Sequence, residues 1–177
     1  QGAWTVAVQT PAGNAQFRLH IAGRHNVRNA LAATACALAA GVPLDAVVRG
    51  LEAFAPVQGR SRAFTLAWGG REITVVDDSY NANPDSVRAA IAVLAELPAP
   101  QLLVLGDMGE VGDQGPAFHA EAGTEAKAAG IPQLMALGAL AEHAVAAFDG
   151  ARHFKDMAAV QAAVCAALPQ AGRVLVK

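Results

Sequence analysis

Length, composition and charge exclude several classes of protein. The chain has 177 residues, of which 54% are hydrophobic, and its formal net charge is −2. No stretch approaches the roughly 20 consecutive apolar residues of a membrane-spanning helix, and the first residues lack the charged-then-apolar pattern of a signal peptide. The charge gives no basic face for nucleic acid. We therefore expect a cytosolic protein that neither spans a membrane nor binds nucleic acid.

The first part of the chain predicts a β-hairpin and two helices: strands 4–9 and 16–21, a helix from Asn26 to about Gly41, and a helix from Leu44 to about Pro56. Asn26 suits the N-cap of the first helix, because its side chain can accept a hydrogen bond from a free backbone N–H. Turn residues follow Pro56, so we place a domain boundary between residues 57 and 58.

From residue 58 onward, strand and helix patterns alternate. The predicted strands are 63–68, 72–76, 101–105, 133–137, 153–154 and 174–176, and the predicted helices are 84–97, 117–129, 140–148 and 157–168. Such alternation is typical of an α/β fold, a doubly wound and mostly parallel sheet with helices on both faces. Gly69-Gly70 joins the first two strands as a hairpin and makes one of them an antiparallel edge strand.

The two cysteines and the histidines give no sign of a metal site. Cys36 and Cys165 lie far apart in alanine-rich segments with helical periodicity, so we interpret them as buried, reduced thiols. No histidine has metal-ligand spacing with either cysteine. The sequence therefore predicts neither a disulfide nor a metal centre.

Residues 77–83 are the stretch best suited to chemistry. They follow a β-branched strand and precede a helix for which Asn83 is a good N-cap and Pro84 a good first residue. Asp77 and Asp78 could accept hydrogen bonds from sugar hydroxyls or bind a metal, and the helix start offers donors to an anion. An ordinary strand-to-helix connection, with Asp, Asn and Ser serving turns and caps, is the alternative.

Four motifs in sequence order, at 23–33, 58–60, 77–86 and 103–112, resemble those of the Mur ligases. The resemblance implies that residues 1–57 are the C-terminal tail of a central ATP-binding domain and that 58–177 form a Rossmann-like C-terminal ligase domain. The version of the motif at 77–83, Asp-Asp-Ser-Tyr-Asn-Ala-Asn, favours the member that joins D-alanyl-D-alanine to UDP-N-acetylmuramoyl-tripeptide. A folylpolyglutamate-synthase-like ligase is the nearest other enzyme.

The resemblance also implies nucleotide-binding residues. The family's asparagine-rich motif lies beside the adenine of ATP, which assigns nucleotide contact to Asn26 and Asn29, with His25 as a lesser neighbour. An aspartate at the position of Asp78 reaches the ATP ribose. Read from the residues alone, Asn26 is simply a cap and His25 a structural histidine.

A catalytic residue and a substrate-binding set follow from the same resemblance. Arg60 would stabilise charge on the transferred phosphate, although an exposed loop arginine is the plainer reading of that position. Tyr80, Asn81 and Asn83 would line the cleft that holds substrate. No residue here is assigned to a metal.

The implied substrates are ATP with Mg²⁺, UDP-N-acetylmuramoyl-tripeptide and D-alanyl-D-alanine, in a protein we expect to be a monomer. The sequence contains no glycine-rich loop ending in Gly-Lys-Ser or Gly-Lys-Thr, so most ATP and Mg²⁺ contacts would come from a part of the enzyme outside this chain. We expect the chain alone to be inactive. A non-catalytic nucleotide-binding or interaction module on a doubly wound sheet is the alternative from another class.

Overall fold

Residues 3–177 are described by a computed structural model, and the chain divides into two units between Val57 and Gln58. The first unit contains strands β1 (Trp4–Thr10) and β2 (Gly13–Leu19) and helices α1 (Arg24–Ala39) and α2 (Leu44–Glu52). The strands form the predicted hairpin, closed by the two-residue loop Pro11-Ala12. Alternate strand residues face a small core with α1; its buried members are Val6, Phe17, Leu19, Ile21 and Ala30.

Two expectations about the first unit and the cysteines are wrong. Helix α1 begins at Arg24, after Gly23, and Asn26 lies inside its first turn instead of at the N-cap. Gly23 has a φ of 90°, a conformation that glycine adopts easily, so the chain enters the helix three residues early without a capping side chain. Cys36 and Cys165 are free and exposed, because each lies on the solvent side of an alanine-rich helix.

The second unit is built on one six-stranded sheet in the order β3-β4-β8-β5-β6-β7. Its strands are β3 (Arg62–Trp68), β4 (Arg71–Asp77), β5 (Gln101–Leu105), β6 (Gln133–Leu137), β7 (Arg152–Phe154) and β8 (Arg173–Val176). Its helices are α3 (Pro84–Ala95), α4 (Gly115–Ala128), α5 (Glu142–Phe148) and α6 (Met157–Ala167). Strand β3 pairs antiparallel with β4 and every other pairing is parallel, which confirms the predicted fold class.

The order of the strands explains how the helices are distributed. The chain moves in one direction across the sheet from β4 to β7, and right-handed crossovers put α3, α4 and α5 on one face. It then returns to insert β8 between β4 and β5, which puts α6 on the other face. Buried residues of α6, including Val160 and Ala163, pack there on Ile73, Leu102 and Val174. Among the described residues no helix is both long and apolar enough to cross a membrane.

Candidate functional site

Three polar segments of the second unit meet at the carboxyl ends of β4, β8 and β5. They are the 58–61 turn that leads into β3, the 77–83 loop after β4, and the 106–112 loop after β5. The Tyr80 N–H donates to the Gly59 carbonyl at 3.0 Å, and the Gly109 N–H donates to the Ala82 carbonyl at 3.3 Å. Ligands bind at this edge of open α/β sheets, so the segments form the candidate site.

Asp77 fastens the 58–61 turn to the end of β4. Its Oδ2 accepts the Gly59 N–H at 3.0 Å, and its Oδ1 accepts the Ser79 hydroxyl at 2.6 Å. Burial pulls the pKa of Asp77 upward, but the hydrogen bonds from Ser79 and Gly59 and the charge of Arg62 outweigh it and leave the pKa below its ordinary value. The carboxylate is therefore ionised and committed to the local backbone.

Asp78 is held at both of its carboxylate oxygens. Oδ1 accepts the Ser61 backbone N–H at 2.8 Å and the Ser61 hydroxyl at 2.9 Å. Oδ2 accepts from Nζ of Lys177, the residue that follows β8, at 2.6 Å. The Lys177 side chain is 4% exposed and that of Asp78 is 17% exposed. Asp78 therefore joins the turn before β3 to the end of β8.

Arg60 stacks on Tyr80 at the outer rim of the site. The guanidinium carbon lies 4.0 Å from the centroid of the ring, a cation–π arrangement, and Tyr80 is 68% exposed. Gly59 makes this approach possible: a Cβ added there would lie 3.0 Å from the Tyr80 backbone nitrogen. The stack holds Arg60 against the loop that carries Asp78, within the second unit.

The asparagines of the 77–83 loop have different surroundings. Asn83 caps α3 as predicted: its Oδ1 accepts the Ser86 N–H at 2.8 Å, and the Ser86 hydroxyl accepts the Asn83 N–H at 3.0 Å. Its side-chain carbonyl is therefore committed to the helix. Asn81 is exposed and accepts only the N–H of the next residue, Ala82, among the contacts of its side chain that the structure gives. Tyr80, Asn81 and Asn83 are all exposed, and of the three only Asn83 is committed to a helix cap.

The asparagine-rich motif lies at the start of α1, in the first unit. Asn26 donates to the Ala22 carbonyl at 2.7 Å and contacts His25 Nε2 at 3.0 Å, while its Oδ1 accepts from Asn29 Nδ2 at 3.1 Å. Asn26 is half-buried and Asn29 is exposed. Asn26 thus holds the Asn29 amide through one of its N–H groups.

The 106–112 loop is fixed by a buried histidine that sequence reasoning left without a role. His119 is fully buried, and its Nε2 accepts the Met108 N–H at 2.9 Å. Its Nδ1 therefore carries the proton and donates to the Gly115 carbonyl at 2.7 Å. Both ring nitrogens are satisfied in the neutral form, so this histidine is a structural support for the loop.

The described residues do not form a site suited to Mg²⁺. No group of three or more His, Cys, Asp or Glu side chains within 3–177 could hold a metal ion. Each carboxylate oxygen of Asp77 and Asp78 already accepts at least one hydrogen bond, from Gly59, Ser61, Ser79 or Lys177. We therefore derive no step of a reaction through a metal held by this chain.

Two residues of the site, Ser61 and Lys177, were not anticipated from the sequence. No glycine precedes Lys177, so the phosphate-loop pattern does not single it out. The available signal was its position directly after the apolar strand β8, because polar residues at the carboxyl ends of parallel strands converge on one edge. Ser61 gave no comparable signal.

Comparison with known proteins places this architecture in a family. The model of the Mur ligase glutamate ligase domain matches residues 61–177. The UDP-N-acetylmuramoyl-tripeptide–D-alanyl-D-alanine ligase of Escherichia coli K12 is 42% identical over 154 residues, which is 86% of this chain and 33% of that protein. The Haemophilus influenzae enzyme of the same name is 41% identical over 119 residues, covering 67% of this chain and 25% of that protein.

A solved structure shares the fold of nearly the whole chain. The crystal structure of MurF from Acinetobacter baumannii superposes with a TM-score of 0.87 and 33% identity, covering 99% of this chain and 39% of that one. The chain thus spans between a quarter and two fifths of the length of these relatives. On these matches, the chain belongs to the Mur ligase family.

Proposed function

We propose that the chain is the C-terminal part of an ATP-dependent ligase that joins D-alanyl-D-alanine to UDP-N-acetylmuramoyl-tripeptide in the cytosol. One observation carries the proposal: Arg60 and Asp78 lie on one hydrogen-bonded edge of the sheet, in a chain 42% identical to the Escherichia coli enzyme named for that reaction. Residues 58–177 are then its C-terminal ligase domain, and residues 1–57 are the tail of its central ATP-binding domain.

The reaction has two chemical steps. The terminal carboxylate of the tripeptide attacks the γ-phosphorus of ATP, which gives an acyl phosphate and ADP. The amine of D-alanyl-D-alanine then attacks the acyl carbon, phosphate leaves, and the amine loses a proton. Negative charge develops on the transferred phosphoryl group, and an arginine supplied to that group stabilises it. Arg60, exposed at the rim, has this role.

The other site residues bind and orient. Asp78 accepts a hydrogen bond from the ribose at Oδ2, which has one lone pair beyond that used by Lys177, whereas Ser61 uses both lone pairs of Oδ1. Asn29 contacts the adenine with the amide that Asn26 orients, and His25 supports Asn26. Tyr80 and Asn81 face the substrate cleft, with Asn83 securing the helix behind them. Mg²⁺ would be held elsewhere in the enzyme, where it would neutralise phosphate charge, and the enzyme acts as a monomer.

The test uses the full-length protein with ATP, Mg²⁺, the nucleotide-linked tripeptide and D-alanyl-D-alanine. We expect one ADP and one phosphate for each amide product detected by mass spectrometry. A folate substrate with glutamate serves as the control for the other ligase class, and product from that pair alone would refute the proposal.

The chain by itself should release no phosphate from ATP, because its sequence contains no Gly-Lys-Ser or Gly-Lys-Thr loop to position the γ-phosphate. Binding of ATP by the full-length protein without any ligation would instead favour the non-catalytic module.

A further inference from the structure

We propose that Lys177 is a positioning residue for the ligase reaction: its ammonium holds the Asp78 carboxylate in place, and through Asp78 it holds Ser61 and the adjoining Arg60. This inference rests on the proposed function and adds a residue to it. Lys177 lies 99 positions from Asp78 in sequence, yet its Nζ is 2.6 Å from Asp78 Oδ2.

The pair is sheltered from water, which makes it more than a surface ion pair. With side chains 4% and 17% exposed, the two charges are mostly removed from solvent, where each depends on the other for compensation. The surface pair between Lys127 and Asp149 in the same unit is different: its atoms are 3.6 Å apart and its side chains are 55% and 87% exposed. Exposed ion pairs of that kind contribute little to the stability of the fold.

Hydrogen bonds of Asp78 link the position of Lys177 to that of Arg60 at the rim of the site. Its ammonium occupies Oδ2, so the carboxylate presents Oδ1 to the N–H and hydroxyl of Ser61. Ser61 has a φ of 49°, an unfavourable conformation for a residue other than glycine, and the two hydrogen bonds hold it there. Because Arg60 directly precedes Ser61, the orientation of the Asp78 carboxylate also determines the position of the Arg60 backbone.

Backbone contacts anchor Lys177 itself. Its N–H donates to the Val104 carbonyl at 2.9 Å, and its carbonyl accepts the Gly106 N–H at 2.8 Å. These bonds fix the Cα of Lys177 in the middle of the sheet regardless of its side chain. Replacing the side chain should therefore remove the ammonium and leave the end of β8 in place.

The first experiment measures hydrogen exchange in the full-length protein and in Lys177→Met. Removing the ammonium should speed exchange of the Ser61 amide about tenfold or more. The Gly106 amide, which is bonded to the Lys177 carbonyl, should keep its protection and is an internal control. Unchanged exchange at Ser61 would overturn the proposal. This measurement does not depend on which substrate the enzyme uses.

The second experiment measures kinetics below the unfolding temperature. Lys177→Met should raise the KM for ATP and lower kcat, each by about tenfold, because loss of an orienting partner typically costs 10- to 100-fold. The KM for D-alanyl-D-alanine should not change. Lys177→Arg should recover part of the loss, and Lys127→Met should behave as wild type. A purely structural role would reduce only the amount of active enzyme and leave the KM for ATP unaltered, which would also overturn the proposal.

The two experiments separate this inference from the proposed function. If the wild-type protein makes no amide product, the proposed function fails, and exchange at Ser61 still decides whether Lys177 holds the turn. If the wild type is active and Lys177→Met matches it in exchange and in the KM for ATP, only the role of Lys177 fails.

Discussion

The guanidinium of Arg60 rests on the ring of Tyr80, with 4.0 Å between its central carbon and the ring centroid. The arginine is thus already held by the loop that carries Asp78, instead of projecting freely from a connecting segment. Both side chains remain exposed. A cation–π contact at an exposed site contributes about 0.5–1 kcal/mol, enough to orient the arginine and weak enough to let it move onto a phosphate.

The stack predicts a graded response to substitution in the full-length enzyme. Arg60→Ala should lower kcat about 100-fold with little change in the KM for ATP, since its charge acts mainly in the transition state. Tyr80→Ala should lower kcat by only about two- to fivefold, the equivalent of the lost stack. Tyr80→Phe retains an aromatic face and should remain close to wild type. Steady-state kinetics in which Tyr80→Phe and Tyr80→Ala behave alike would contradict a role for stacking.

Gly59 and Gly70 allow the cost of a crowded contact to be measured. Both have a φ of 77°, but a Cβ at Gly59 would meet the Tyr80 backbone at 3.0 Å, whereas a Cβ at Gly70 meets nothing within 4 Å. Each substitution to alanine should cost about 1–2 kcal/mol for the left-handed conformation. Gly59→Ala should lower the free energy of unfolding more than Gly70→Ala does. The crowded contact with Tyr80 that causes this additional loss should also disturb the Arg60 site. Chemical denaturation of both variants provides the comparison, and equal losses would mean that the contact at Tyr80 relaxes freely.

Asp77 should make the second unit sensitive to acid. Its pKa is lowered in the folded protein by hydrogen bonds from Ser79 and Gly59, so its ionised form stabilises the fold at pH values above its ordinary pKa of 3.8. That contribution disappears as the pH falls below 3.8 and through the lower folded-state value. Asp77→Asn should therefore be less stable than wild type at pH 6, with a difference that narrows toward pH 2.5. Thermal unfolding across this range tests the sign, and a constant difference would exclude the linkage.

Replacing Gly123 or Gly50 with alanine should change the stability of the fold in opposite directions. Gly123 lies on α4 where a Cβ would overlap the Ala144 carbonyl oxygen on α5, so alanine must push the two helices apart. We expect Gly123→Ala to cost about 2 kcal/mol or more, at the upper end of overpacking. Gly50 lies within α2 and faces open space, and alanine there should raise the free energy of unfolding by about 0.5–1 kcal/mol. Equal effects in thermal unfolding would argue against the close approach of α4 and α5.

The sequence predicted the second unit closely because its strands are short apolar runs bounded by turn residues. The predicted spans 101–105 and 133–137 match β5 and β6 to the residue. Asn83 and Pro84 likewise marked the start of α3 correctly, since both the cap and the first position were suited to it. The predicted start of α1 was wrong because the helix begins after Gly23, which has no capping side chain but a freely adaptable backbone. Hydrophobic periodicity does not reveal a start of this kind.

The site was less predictable than the fold. The contact between Asp78 and Lys177 exists only because β8 lies between β4 and β5, and local patterns do not specify the order of strands in a sheet. The exposure of Cys36 and Cys165 was hidden for a related reason. In an alanine-rich helix many faces are apolar enough to be buried, so the side that meets the core depends on the neighbouring elements.

The insertion of β8 also constrains how the second unit can fold. Strands β4 and β5 do not pair with each other, because each pairs with β8. Gln101 of β5 is in register with Arg173 of β8, so this shared partner is synthesised about 70 residues after β5. Pairing of such distant segments slows folding, because the loop must close before its contacts contribute stability. Until Arg173–Val176 has left the ribosome, the middle of the sheet has two open edges. The sheet of the nascent unit should therefore remain incompletely paired until β8 is available, and Asp78 acquires its lysine partner when that strand inserts.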